Sequence, residues 1–246
     1  MRQQPPQQAP PVQRLRVRYA KRGRLRFTSH RDFSRAFERA VFRARIPMAY
    51  SSGFHPHPRI SYAGAAPTGS ASEAEYLEIA LAQVVDPADV HHALDEALPD
   101  GLDVLEVAES GGGSLADRLQ GSHWRLSLPG VDGEEAADAV ARFLATEEVE
   151  VQRMTKKGLR TFNCRDAVVS LTSQVGEVSG QECAILDVVL RHGTPSVRPD
   201  DILAGLREVA GLDAGAAPRH ERLAQGPLDP QTGTVGDPLE PDRDAG

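Results

Sequence analysis

Apolar and polar positions change period several times along this chain, and each change marks an element. Leu15, Val17 and Tyr19 alternate with basic residues, and Leu25 and Phe27 continue the pattern beyond Gly23. A period of two predicts a strand, with a turn or bulge at the glycine. The period then lengthens. Phe33, Ala36, Phe37, Ala40, Val41 and Ala44 fall on one helical stripe, with Ser29 placed to cap it, Asp32 three residues on, and Pro47 to stop it. Short extended segments follow at 48–50, 60–62 and 76–81, then a helix over 87–98 closed at Gly101 and a strand over 102–107. The order is βαββαβ.

A Gly/Ser stretch, 109–114, separates this set from a second. There the pattern predicts a strand over 124–128, a helix over 134–144 and a strand over 149–154. A turn at Lys157–Gly158 leads to strands over 159–171 and 184–190, and a helix over 199–209 completes the set. The grammar is again βαββ(β)α, without residue-level identity between the halves. Helices covering one face of an antiparallel sheet are the simplest packing of this order. The predicted fold is therefore α+β, two ferredoxin-like (βαββαβ) sandwich domains in tandem. Their expected bounds are a disordered tail over 1–13, a basic domain over 14–110, a linker over 111–122, a second domain over 123–224 and a disordered tail over 225–246.

A length of 246 residues suits two domains of about 100 residues each with tails. No apolar run approaches the ~18 residues of a membrane span, and the Gln/Pro-rich start has no hydrophobic core of a secretory signal, so a cytoplasmic protein is expected. Cys164 and Cys183 stand far apart, so they build neither a disulfide framework nor a CxxC metal motif, and both are expected reduced and buried.

Charge alters the picture most. Residues 1–60 carry 14 lysines and arginines against two acids, a net of +12, while the rest carries 14 against 33, a net of −19, within a total of −7. Clustered cations of this kind point to a polyanionic partner. On the first helix Arg31, Arg35, Arg39 and Arg43 recur every four residues, an arc of ~120° centred roughly 150° from the apolar stripe. Phe42 lies inside that arc. An aromatic among arginines stacks bases while the cations neutralise phosphates; the alternative is a solvated face with Phe42 covered by a loop. Lys21, Arg22, Arg24 and Arg26 crowd the segment before the helix. In the second half Arg153, Lys156, Lys157, Arg160 and Arg165 share one hairpin, so an extended polyanion could touch both halves.

The segment GFHPHPRISY, 53–62, holds His55 and His57 on a proline-restricted loop beside Arg59. An HxH pair can ligate zinc, but the usual sites need three or four protein ligands, so the loop reads as a polar surface for phosphate or partner contact. Arg35, Arg39 and Arg43 are expected exposed on one helix face, close in space to the GFHPHP loop and to Arg24. Glu73, Glu75 and Glu78 read as a solvated strand face. No catalytic signature, metal site or cofactor motif is evident.

The segments RYAKRGRLRFTSHRDFSRAFERA, IPMAYSSGFHPHPRISYAGAAPTG and SEAEYLEI resemble an uncharacterised bacterial family of radical SAM-linked proteins, a domain of unknown function. The resemblance covers about residues 14–110, and more weakly KKGLRTFNCRD and SVRPDDIL in the second half. It implies an accessory role beside a B12-binding radical SAM protein. The chain lacks the CxxxCxxC motif of such an enzyme, so the resemblance implies the separate subunit. Three functions stay open: an RNA-binding accessory protein presenting tRNA or rRNA to that enzyme, a protein-partner scaffold without RNA contact, and a metal-independent endoribonuclease. The last would use His30, His55 or His57 as acid or base, with an arginine stabilising the phosphorane.

Overall fold

Leu15, Val17 and Tyr19 point to one side of the first strand, β1 (Gln13–Lys21), and are buried there. The computed structural model describes residues 7–155, 158–178, 180–215 and 217–243. They divide into two units, one of residues 1–118 with 237–246 and one of 119–236. The chain is a mixed α/β protein whose strands pair antiparallel.

In the first unit β1 leads into a short 3-10 helix, Gly23–Phe27, where a continuing strand is predicted. The reason is local. Gly23 takes φ +54, a left-handed conformation that ends the extended run, and Leu25 and Thr28 donate backbone bonds that close successive turns. Helix α1 (His30–Arg43) starts where the pattern predicts, with Asp32 donating its backbone N–H to the Ser29 side chain. Its stripe of Phe33, Phe37, Ala40 and Val41 is buried. Then come β2 (Ile60–Ala63), β3 (Ala71–Leu81), α2 (Pro87–Ala97) and β4 (Val104–Glu109). The strand order is β4-β1-β3-β2. Both long helices cover one face, where Tyr19 and Phe33 stack with ring centroids 4.4 Å apart.

The predicted linker, 111–122, is ordered structure. A short helix, α3 (Leu115–Arg118), buries Leu115, while the carbonyls of Gly112 and Gly113 accept from Arg16. The predicted C-terminal tail is also corrected. Residues 237–243 end in a short helix, α6 (Glu240–Arg243), with Leu239 and Asp242 buried. Its composition resembles a disordered segment, but one leucine and one aspartate anchor it to groups brought from far upstream. Of the predicted N-terminal tail, residues 1–6 lie outside the described residues, 7–12 are irregular, and Gln13 already belongs to β1.

The second unit runs β5 (Gly121–Pro129), α4 (Gly133–Ala145), β6 (Glu150–Thr155), β7 (Gly158–Asn163), β8 (Val168–Val178), β9 (Gln181–Arg191), α5 (Pro199–Ala210) and β10 (Arg219–Gly226). The main sheet has the order β10-β5-β9-β8, and β6 with β7 forms a separate hairpin. The strand predicted over 159–171 is thus two strands broken by a 3-10 turn at Arg165–Ala167. Strand β10 lies partly beyond the predicted end of the domain, because its sequence, RHERLAQG, alternates too weakly to be read.

Candidate nucleic-acid interface

Helix α1 separates a buried stripe from an outer face. Arg31, Arg35, Arg39 and Arg43 are exposed on that face, and Phe42 among them is 83% exposed. Residues four apart on a helix lie one above another, so these arginines form a continuous row. Among the described residues none of the four makes an ion pair or a side-chain hydrogen bond.

Arginines on β1 and at the C-terminal end of the first unit differ. Arg14 bonds Glu78 at 2.8 Å, Arg16 bonds Glu78 and Asp242, Arg18 donates to the Glu73 carbonyl, and Arg243 pairs with Glu106 and Asp237. Cationic charge on the strands is therefore matched by local partners, whereas that on α1 faces water. Of the acids at 73, 75 and 78, predicted as a solvated face, Glu73 and Glu78 are arginine partners. Glu73 holds Arg22, Glu78 holds Arg14 and Arg16, and buried Glu75 accepts from the Ala66 amide.

Several residues predicted as contacts are partly buried or hold partners within the chain. Lys21 is only 5% exposed, its ammonium 3.4 Å from the carbonyls of Ala66 and Pro67. Arg22 is clamped between Glu73 and Asp103, and the Glu73 hydrogen bond is the main reason its pKa is raised. Arg26 is half-buried, its guanidinium 4.8 Å from the Phe27 ring centroid. Arg59 spends its Nε on the Tyr50 carbonyl at 3.1 Å. Arg165 is half-buried and donates to the Val168 carbonyl. Arg153 bonds Asp201 at 2.5 Å and lies over Phe162, which makes it a support of the hairpin. Arg24 and Arg160 are exposed. Lys156 and Lys157 lie outside the described residues.

The loop after α1 is tied at its base. Ser51 donates its amide to the His57 carbonyl at 2.9 Å, His57 donates its own amide to Ser51 Oγ at 3.0 Å, and Tyr50 bridges to Pro58. His55 and His57 are exposed on this loop, while His30 packs edge-on against Tyr62 at 4.9 Å. No contact joins His30 to the pair among the described residues, nor does any group of three His, Cys, Asp or Glu there have a metal-binding arrangement.

The end of α1 meets the loop. A depression of about 430 Å3 is lined by Glu38, Phe42, Arg45, Met48, Tyr50 and Pro58, among others. Of the residues predicted together, the depression joins Phe42 of the ridge to Pro58 of the loop; none of the four ridge arginines and neither His55 nor His57 lines it, and Arg24 comes before the start of the helix. Glu38, Arg45 and Tyr50 were missed by sequence reasoning. Arg45 carried a signal: a helix ending without glycine leaves another residue to turn the chain, and Arg45 does so at φ +53. A left-handed arginine stores backbone strain of the kind that gathers at functional sites.

Fold and surface thus define a two-unit α/β protein with an unmatched cationic, aromatic-bearing helix face. The chain belongs to the family of uncharacterised proteins conserved in bacteria known as DUF2344, whose model matches residues 14–199. No curated protein matches the chain in sequence. Among solved structures it is similar to a chain of a Cbf5-Nop10-Gar1 complex, with 12% identity over 91% of this chain and 55% of that one, and a TM-score of 0.45. It spans only about half that chain's length. The first two RRM domains of the yeast poly(U)-binding protein Pub1 match with 12% identity over 85% of this chain and 98% of theirs, at a TM-score of 0.20. The encapsulated DyP-type peroxidase of Mycobacterium smegmatis matches with 12% identity over 91% of this chain and 94% of its own, at 0.21. No helix among the described residues is long and apolar enough to cross a membrane.

Proposed function

We propose that this protein binds single-stranded or flexible RNA on the outer face of α1, as a cytoplasmic accessory to a separate radical SAM enzyme in RNA modification or maturation. Each unit is read as a ferredoxin-like sandwich, the second with the β6–β7 hairpin inserted; the antiparallel order within each unit supports this. The observation that carries the RNA reading is the row of four arginines without carboxylate partners beside an exposed Phe42. Phosphates supply the missing counter-charge, and a base stacked on the ring supplies apolar cover. The radical SAM partner rests on the family resemblance alone.

Binding of an unstructured RNA, measured across salt concentrations, tests the reading. Affinity is expected to fall by on the order of tenfold or more from low to moderate salt. Replacing Arg35 and Arg39 together by alanine lowers affinity for many sequences alike and flattens the salt slope by roughly 0.7 for each single-strand phosphate no longer neutralised. Phe42→Ala weakens binding by about 1–3 kcal/mol while leaving the slope nearly unchanged, because stacking releases no counterions. If the double variant keeps full RNA affinity but loses a co-purifying enzyme, the ridge docks a protein instead.

A further inference from the structure

An acid in the middle of an arginine ridge works against phosphate binding, and Glu38 is such an acid. It lies three residues after Arg35 and four before Phe42, is exposed, and among the described residues forms no ion pair with the arginines around it. The other acid of α1, Asp32, is explained by the helix start, where Ser29 Oγ bonds it at 2.6 Å. Glu38 has no such hydrogen bond among the described residues; it acts electrostatically on Tyr62, whose phenol is pushed up by burial and further by the Glu38 charge. It lines the depression at the end of α1 together with Phe42 and Tyr50, and also the shallower one bounded by Arg35, Arg39, Phe42 and Arg43.

A carboxylate is an acceptor only, with two oxygens side by side. Of the four RNA bases, only guanine offers two adjacent donors on its Watson–Crick edge, N1–H and the N2 amino group. Adenine and cytosine each set one donor beside an acceptor, and uracil sets one donor between two carbonyls. Each of those places a lone pair against a carboxylate oxygen. The Phe42 ring is one helical turn from Glu38, close enough for a base stacked on the ring to turn that edge to the carboxylate. Tyr50, in the same lining, has its backbone held by the bridge to Pro58 and by the bond from Arg59 to its carbonyl. The cavity falls within the ~300–1,000 Å3 usual for small-molecule sites.

We infer that Glu38 and Phe42 form a guanine-selective base subsite within the RNA surface, Phe42 stacking the base and Glu38 reading its Watson–Crick edge. This rests on the RNA reading above. The test uses four oligouridine heptamers with a central G, A, C or U, binding being followed by fluorescence anisotropy at fixed low salt. The parent protein is expected to prefer the central guanine by roughly tenfold, the scale of one bidentate base contact. Glu38→Gln, whose amide places a donor against one guanine donor, loses that preference yet binds the other three heptamers at least as well as the parent. Phe42→Ala weakens all four together. A parent that binds all four equally overturns the subsite and leaves the RNA reading standing, as does a Glu38→Gln variant that keeps the full preference. A parent that binds none of them overturns both.

Discussion

Arg16 Nη1 donates to both carboxylate oxygens of Asp242 at 2.9 Å, and both side chains are wholly buried. The two residues stand 226 positions apart, so this contact fixes the segment around 237–243 onto β1. Arg118 and the Gly111 amide complete the shell of the carboxylate. Removing the acid breaks a buried ion pair and leaves Arg16 with Glu78 as its one remaining carboxylate, a loss of up to about 3–5 kcal/mol. Asp242→Ala is therefore expected to lower the melting temperature and to raise amide exchange across residues 237–243, as read by hydrogen-exchange mass spectrometry.

The same contact sets a response to acid. Burial pushes the Asp242 carboxyl up, but hydrogen bonds from Arg118, the Gly111 amide and Arg16 outweigh it and hold the pKa below the usual carboxylate value. A depressed acid pKa contributes stability that is complete above the unfolded value, about 3.9, and is lost as pH falls through the folded one. Exchange protection over 237–243 is expected to persist at pH 5 and to fail below about pH 4. Protection that fails between pH 7 and 5 would contradict this.

His192 predicts a loss that begins earlier on acidification for the second unit. Its Nδ1 lies 2.7 Å from the Leu119 carbonyl, which can only accept, so Nδ1 carries the proton and Nε2 accepts from Ser122 Oγ at 3.1 Å. Burial lowers its pKa, partly opposed by the Leu119 carbonyl. The unfolded chain therefore takes up the proton first, and the contribution of neutral His192 is present above about pH 6.5 and lost as pH falls through its folded pKa. A proton NMR titration should show His192 titrating below 6.5. Ser122→Ala additionally strips Trp124 Nε1 of its acceptor at 2.8 Å, an expected loss of about 1–3 kcal/mol.

Gly205 lies where α5 crosses α4. A methyl group there would stand 2.8 Å from Phe143, 2.9 Å from Cys164 Sγ and 3.0 Å from Val149. Gly205→Ala is expected to destabilise by about 1–3 kcal/mol through overpacking, despite alanine's better helix propensity. A chemical denaturation curve with an unchanged midpoint would show that the helices can separate without loss.

Arg22 and Arg39 separate structure from binding. Arg22→Ala removes a clamp on Glu73 and Asp103 and is expected to cost about 1 kcal/mol at most, since the side chain is partly exposed, with no change in the salt slope of RNA binding. Arg39→Ala should leave stability within ~0.5 kcal/mol and reduce the slope.

Much of this was legible in the residues themselves. The helical phase of α1 follows from Phe33, Phe37, Ala40 and Val41, and it placed Phe42 outside correctly because a strongly periodic helix leaves little freedom. The crowded cations before the helix were harder. A lysine in a sequence carries no sign of whether it meets water or two carbonyls, so Lys21 and Arg22 looked like Arg39. The partners of Arg22, Glu73 and Asp103, come from distant parts of the unit, and only the fold supplies them. The segment after 225 was misread for a related reason. Its low hydrophobicity describes the segment alone, whereas Asp242 is stabilised by Arg16, Gly111 and Arg118.

Because one carboxylate partner of Arg16 is residue 242, the first unit cannot complete this buried ion-pair shell before the second has been synthesised. While the ribosome is still producing the second unit, β1 already carries an arginine that has Glu78 as a counter-charge but lacks the Asp242 carboxylate. The later-made unit can therefore reach its final state first, and the earlier-made one closes only after residue 242 has left the exit tunnel. Until then the unfinished point of the fold is Arg16 on β1, so a nascent chain stalled before residue 242 would be incomplete near its beginning, not only at its end.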